Sequence, residues 1–498
     1  MIVHYPSGQE FKKLAKKANV IPVYREIPTH LLTPVSVFQK IKDNHSYLLE
    51  SVEGEEKIAR FSFIGISPSI IFKSKGNLIE LIKRTKKKSY RTDSPLNEIA
   101  KIMNGFRAAP VKGLPRFSGG LVGYMGYDMV RFFEDLPDKN PDDLDVADSI
   151  FIMADSHVIF DHSTKTIKVV VNAYIQKPGY RPQEIKRIYS DTIKKIDKII
   201  QELNRPAAKQ KARQKRKKMN SIRSNFTIDQ FKDSVRKAKR YITSGDVIQV
   251  VLSQRLSTTL NCDPLDVYRA LRKLNPSPYM YYLDFGEIKM VGSSPELLVR
   301  CENNVVETRP IAGTRPRGKD RGEDKIFEKE LLRDTKERAE HVMLVDLGRN
   351  DIGRVCKAGS VRVSEFMFVE KYSHVMHIVS NCKGSLAKGK NAYDVLIAAF
   401  PAGTVAGAPK IRAMEIIDEL ENTRRGPYAG AVGYFSFSGN MDTCINIRTI
   451  LVKGKEAFIQ AGAGIVADSV PAKEYRETLN KAKAMLRAIE IAEEGIEQ

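Results

Sequence analysis

From Arg205 to Arg223 the chain carries nine basic residues and no acidic one. Its middle, Pro206-Ala-Ala-Lys-Gln-Lys-Ala-Arg-Gln-Lys-Arg-Lys-Lys, offers almost no large apolar side chain to bury. Like charges at this density repel and stay hydrated, so the stretch reads as a solvated linker and cannot belong to a core. It divides the 498 residues into an N-terminal region 1–204, a basic linker 205–223 and a C-terminal region 224–498. A chain of this length ordinarily holds two or three units, or one large core with an appended region.

The formal charge of +22 is concentrated in the same way. The linker and Lys83–Arg91, with six bases and no acid, supply 15 of those 22 charges. No aromatic residue interleaves with the lysines of the linker, and no zinc-finger or RNA-recognition spacing occurs, so the charge reads as a surface property. A nucleic-acid site along Lys209–Lys218 is the competing reading, and it requires steep salt dependence. No apolar run approaches the roughly 20 residues that span a bilayer. The first residues lack the charged flank and apolar stretch of a signal peptide. Five scattered cysteines (Cys262, Cys301, Cys356, Cys382, Cys444), without a Cys-x-x-Cys pair, argue against a disulfide frame or structural zinc. The expectation is a cytoplasmic protein bound to neither nucleic acid nor membrane.

Short β-branched and aromatic runs mark strands at Tyr47-Leu-Leu-Glu-Ser, Ile70-Ile-Phe-Lys, Ser149-Ile-Phe-Ile-Met and Thr166-Ile-Lys-Val-Val-Val. Arg181 to Leu203 is helical, with Ile185, Ile188, Ile193, Ile196 and Ile200 as its apolar stripe. Thr227 to Ser244 is a second helix, ending at Gly245. Strands follow at Val247–Leu256 and, after the rigid Asn275-Pro-Ser-Pro-Tyr turn, at Met280–Phe285. Helices and strands do not alternate in the rhythm of a parallel sheet. The predicted class is α+β, with large, mostly antiparallel sheets flanked by helices.

Two predicted helices carry the same device. Glu337 and Glu340 stand three apart in Glu323 to Asp346, with Leu331, Ala339, Val342, Met343 and Leu347 packing elsewhere on it; Glu474 and Glu477 repeat the spacing in Pro471 to Glu494. Residues three apart share a helix face. Two such pairs on facing helices could hold a hard divalent cation and leave places for water and an anionic substrate. A solvated charged face is the plainer alternative. Four glycine-containing segments accompany them: Arg309-Pro-Ile-Ala-Gly-Thr-Arg-Pro-Arg-Gly, Phe400-Pro-Ala-Gly-Thr-Val-Ala-Gly-Ala-Pro-Lys, Gly426-Pro-Tyr-Ala-Gly-Ala-Val-Gly-Tyr and Ala461-Gly-Ala-Gly-Ile-Val. Glycine lets backbone N–H groups approach an anion, although none of these segments is a phosphate loop. With Arg448 they suggest a small acid bearing carboxylates.

The first, second and fourth of these segments, with Gly245-Asp-Val-Ile-Gln-Val-Val-Leu-Ser-Gln-Arg, Gly292-Ser-Ser-Pro-Glu and Glu340-His-Val-Met-Leu-Val-Asp-Leu-Gly-Arg-Asn-Asp, resemble the chorismate-binding enzyme family in order across the C-terminal half. The N-terminal half, with Arg60-Phe-Ser-Phe-Ile-Gly, resembles the large-subunit family of anthranilate synthases. The resemblance implies Mg2+ held by Glu340 and Glu477, with Glu337 and Glu474 acting directly or through water. It implies that Tyr428, Arg448 and the Gly462-Ala463-Gly464 backbone hold the substrate's carboxylates, with Gly313, Thr314 and Thr404 lining the pocket. Glu296 is then the acid assisting departure of the C4 hydroxyl, and His377 a proton-transfer residue. The implied reaction is addition of ammonia to chorismate, giving 2-amino-2-deoxyisochorismate, and elimination of pyruvate to leave anthranilate, the first committed step of tryptophan biosynthesis. Relatives that add water carry a lysine where this chain has Gln249, and many aminodeoxychorismate synthases carry one where it has Ala312. Aminodeoxychorismate synthase component I is therefore the second reading. The resemblance also implies an L-tryptophan inhibitory site at Ser51, Pro278, Tyr279 and Met280, with Glu50 and Asn275 nearby. No glutaminase cysteine elbow is present, so ammonia is expected from solution or from a separate glutamine amidotransferase subunit in a heterotetramer.

Overall fold

The computed structural model describes residues 3–52, 60–175, 181–206, 221–372 and 375–495. Most of the basic stretch, 207–220, lies outside the described residues, including the Lys209–Lys218 run. Within them the chain forms twelve α-helices and two twelve-stranded sheets whose strands pair antiparallel. The α+β expectation holds. Strands from both sides of the basic stretch enter each sheet. In the first sheet they meet where Ser46–Glu50 pairs with Tyr279–Asp284, and in the second where Gly120–Met125 pairs with Ala431–Ser436.

The sheets face each other across a layer in which Tyr47, Tyr281 and Leu283 of the first pack with Val122, Tyr124 and Val432 of the second. Alternating side chains make this possible, since each strand offers one face inward and the other outward. Helices Pro182–Asn204, Pro264–Leu274 and Pro471–Glu494 cover the outer face of the first sheet, burying Ile196, Leu271 and Ile489. No helix of the described residues is long and apolar enough to cross a membrane.

The predicted helix from Glu323 to Asp346 is two helices, Arg321–Arg333 and Thr335–Gly353. Asp334 separates them because its carboxylate accepts hydrogen bonds from the Lys336 and Glu337 amides, capping the second helix. That restart changes the packed face. Leu331 is buried in the first helix, but Ala339 and Val342 face solvent, and His341, Leu344, Val345 and Ile352 are buried instead. The helix expected at 181–203 spans Pro182–Asn204, with Ile193 only half-buried and Ile199 and Leu203 fully inside.

The chain crosses between the sheets in a few residues at 67–69, 154–155, 295–296 and 446–448. Two of these corners run side by side. The Ser293 amide donates to the Arg448 carbonyl at 3.1 Å, the Ile445 amide to the Glu296 carbonyl at 3.0 Å, and the Ser294 hydroxyl to the Ile445 carbonyl at 2.6 Å.

Candidate active site

Those paired corners bring Glu296 and Arg448 together. Strand Ile288–Ser294 lies beside Thr449–Lys453 in the first sheet, and Leu297–Glu302 beside Met441–Ile445 in the second. Each corner must therefore turn where the other does. Arg448 takes a left-handed backbone, φ 50°, which an arginine adopts only when its surroundings impose it. Glu296 keeps some exposed surface, but its carboxyl is densely enclosed. Burial pushes its pKa up to about 7, against the opposing pull of the Thr404 hydroxyl, Arg448 and Lys481. The Thr404 hydroxyl is buried and has no well-aligned partner elsewhere among the described residues. A carboxyl in this state holds its proton near neutrality and can donate it, as a general acid must.

His377, on strand Val375–Ser385, places Nδ1 2.7 Å from the Gly313 carbonyl and 3.2 Å from the Thr314 hydroxyl. A carbonyl only accepts, so Nδ1 carries the hydrogen and a neutral ring presents Nε2 as its lone pair. Burial lowers the His377 pKa, against the Gly313 hydrogen bond, and Arg448 lowers it further. The ring is thus kept in its neutral form, able to accept a proton. Gly313 has φ 64°, and a Cβ there would stand 3.0 Å from Leu331 Cδ1 and 3.2 Å from Glu337 Oε2. The absence of a side chain at Gly313 is what lets this turn close against Leu331 and Glu337.

Gly462 and Gly464 lie on strand Glu456–Ile465, paired with Gln249–Thr259. A Cβ on Gly464 would meet Gln249 Nε2 at 2.4 Å, and one on Gly462 would meet the Tyr428 hydroxyl at 2.7 Å. Ala463, alternating to the other face, packs into the core, so only its backbone is available here.

The two glutamate pairs remain pairs. Burial and then Glu337 raise the pKa of Glu340, which the Gln249 amide opposes. Burial raises that of Glu474, opposed by Ser469 and reinforced by Glu477. Arg315 reaches Glu337 at 3.3 Å, and Lys481 holds Glu477 at 2.8 Å. Lys336 and Lys481 each act on both Glu340 and Glu474, which sets the two helices across one space. Among the described residues no three of His, Cys, Asp or Glu converge into a ready-made metal site. The donor chemistry nonetheless fits a hard dication, being four carboxylates in two mutually repelling pairs. Water and a substrate carboxylate would have to complete such a ligand set.

Lys481 is absent from the sequence reading and belongs to this cluster. Its ammonium donates to the Gly462 carbonyl at 3.0 Å as well as to Glu477. The signal was its position four residues after Glu477, which puts it on the same helix face.

A large cavity lies elsewhere. It has a volume of about 860 Å³, sits between the sheets, and is lined by Glu50, Ser51, Pro278, Tyr279 and Met280 together with Arg116 and Asp442. Asn275 does not line it. As the C-terminal cap of Pro264–Leu274 it donates to the Ser293 hydroxyl at 3.0 Å and so braces the wall. Glu50 is buried, with its carboxylate on Tyr268 at 2.5 Å and Arg272 at 3.1 Å.

Comparison with known proteins identifies the family. The profile of the chorismate binding enzyme family matches residues 44–487. Anthranilate synthase component 1 of Aquifex aeolicus (strain VF5) is 52% identical over 495 residues, covering 99% of each chain. That of Acetivibrio thermocellus is 49% identical over 496 residues, covering 98% of this chain and 99% of its own. The crystal structure of anthranilate synthase component I from Streptococcus pneumoniae TIGR4 superposes with a TM-score of 0.77 at 38% identity, over 92% of this chain and 98% of that one. MenF, the menaquinone-specific isochorismate synthase from Escherichia coli, shares the fold, with a TM-score of 0.70 at 17% identity over 97% of this chain and 98% of its own. On the family profile, the full-length relatives and the shared architecture together, the chain belongs to the chorismate-binding enzyme family.

Proposed function

We propose that this chain is the aminating subunit of an anthranilate synthase, a carbon–oxygen lyase that turns chorismate and ammonia into anthranilate and pyruvate. The observation that carries the chemistry is Glu296, an enclosed carboxyl with a pKa of about 7 beside Arg448 and Lys481. In this reading Arg448, Lys481, Tyr428 and the Gly462–Gly464 backbone hold the carboxylates of chorismate, with Gly313, Thr314 and Thr404 around the ring. Glu296 gives its proton to the departing C4 hydroxyl, which leaves as water while ammonia adds at C2 and the double bonds shift. His377 Nε2 takes a proton from the ring intermediate as pyruvate leaves and the ring becomes aromatic. Glu340 and Glu477, with Glu337 and Glu474 directly or through water, would hold Mg2+. Bound there, Mg2+ supplies Lewis-acid stabilisation of carboxylate charge.

Two neighbours steer the nucleophile. Gln249 has no proton-accepting nitrogen, so it cannot activate water. Ala312 offers no amine to attack C2, leaving that carbon to ammonia. The ammonia would come from a glutamine amidotransferase subunit, in keeping with the name "component 1" borne by the relatives. The between-sheet cavity would take L-tryptophan as inhibitor, and substrate and tryptophan would oppose each other reciprocally.

The test mixes the purified chain with chorismate, Mg2+ and ammonium, and follows anthranilate fluorescence and pyruvate. Both products are expected, and chelation should stop both. An aminated product that keeps its enolpyruvyl group, with no pyruvate, would move the assignment to aminodeoxychorismate synthase component I.

A further inference from the structure

Beneath the site lies an arginine that the mechanism above does not use. Arg425 is 2% exposed. Its guanidinium lies over the rings of Tyr127 and Tyr428, 4.7 and 5.6 Å from their centroids. Nε donates to Glu421 Oε2 at 3.0 Å and Nη2 to Glu421 Oε1 at 2.6 Å. Nη1 donates to the Val405 carbonyl at 2.7 Å and Nη2 also to the Val251 carbonyl at 2.8 Å. Glu421 accepts in turn from the Ser253 amide at 2.8 Å and the Ser253 hydroxyl at 2.9 Å.

All of these contacts except that with Tyr127 end on a neighbour of the site. Val405 follows Thr404. Val251 pairs with Gly464 and Ser253 with Gly462 in the strand ladder. The Tyr428 ring is held directly, and its hydroxyl rests on Gly462. One planar group thereby fixes the spacing between three chain segments that are far apart in sequence. A buried ion pair adds little net stability over an apolar pair of similar volume, so stability alone is a weak reason for four charged or charge-assisted bonds here. A fork of fixed geometry does what an apolar pair cannot, which is to set distances and directions.

We propose that the Arg425–Glu421 pair is the positioning unit of the active site, holding Tyr428, Thr404 and the Gly462–Gly464 strand at the spacing that receives substrate. The inference rests on the assignment of those residues to chorismate binding.

The test compares Arg425→Lys and the uncharged double variant E421Q/R425M with Ile196→Ala, a cavity-forming change in the remote helix Pro182–Asn204. All are assayed well below their melting temperatures. Arg425→Lys keeps the charge but loses the fork; the double variant removes the charges in balance. Both should lose about 100-fold in kcat/KM, the scale of an ångström-sized misplacement, with KM raised. Amide hydrogen exchange should quicken at 403–406 and 427–430. Ile196→Ala, at a similar melting temperature, should keep its kinetics. If the Arg425 variants lose no more activity than Ile196→Ala, and exchange at both segments is unchanged, the positioning role is refuted. If the unaltered chain makes no anthranilate, the functional reading fails, while exchange still decides whether Arg425 positions these segments.

Discussion

Glu296→Gln separates the two consequences of an enclosed acid. The carboxyl's pKa is about 7 when folded against an ordinary 4.5. The folded state therefore binds the proton more tightly than the unfolded state between those values. Stability from this group is fully present below about pH 4.5 and is lost as pH rises to about 7, above which the loss is constant. At about 1.4 kcal/mol per pH unit, the ionised form costs up to about 3 kcal/mol. Glutamine resembles the protonated carboxyl in shape and charge. Glu296→Gln should thus be more stable than the parent at pH 8 by up to about 3 kcal/mol, with the difference vanishing below pH 4.5. Catalysis should move oppositely. The variant has no proton to give and should lose about 100-fold or more in kcat. In the parent, kcat/KM for chorismate at constant free ammonia should fall about tenfold per pH unit above 7. Thermal midpoints from pH 4 to 8.5, beside anthranilate production over the same range, measure both. A stability difference independent of pH, or a parent rate flat from pH 7 to 9, refutes the reasoning.

Further expectations concern the surrounding groups. His377→Asn keeps a donor for the Gly313 carbonyl but removes the Nε2 lone pair, so kcat should fall about 100-fold with KM little changed; loss of KM alone would assign the ring to binding. Glu477→Gln should weaken Mg2+ binding, read by calorimetry with chorismate present, by about 100-fold. Unaltered Mg2+ affinity would remove Glu477 from the ligand set. Gly313→Ala imposes a side chain at φ 64° against Leu331 and Glu337, and should cost about 1–2 kcal/mol in urea unfolding. Ser51→Phe should fill part of the between-sheet cavity and relieve tryptophan inhibition while sparing catalysis; a fully tryptophan-sensitive variant would show that the inhibitor binds elsewhere.

The legible parts of the sequence were local. The β-branched run at Thr166–Val171, the helix stop at Gly245 and the three-residue spacing of Glu474 and Glu477 depend on neighbours in the chain, so the α+β class and the second acidic helix could be read directly. The break at Asp334 was hidden because aspartate is tolerated within a charged helix and the choice to cap depends on where the next helix packs. Glu296 and His377 were legible only through resemblance, since their pKa values depend on burial and on partners more than sixty positions away in the chain. Lys481 had a helical signal that was not used. Arg425 had none, because beside Arg424 it reads as one more surface charge, and only the fold encloses it.

The seams between the two parts of each sheet set a timetable for synthesis. Strand Ser46–Glu50 takes Tyr279–Asp284 as its neighbour on one side, and Gly120–Met125 takes Ala431–Ser436. More than two hundred residues separate the members of each couple. At ordinary ribosomal speeds the earlier strand waits roughly ten to sixty seconds for its later neighbour to be made. During that interval its backbone donors and acceptors are open to any other strand, including one on a nascent copy of the same chain. Synthesis slowed at lower temperature lengthens the wait, and with it the time for which these edges stay open.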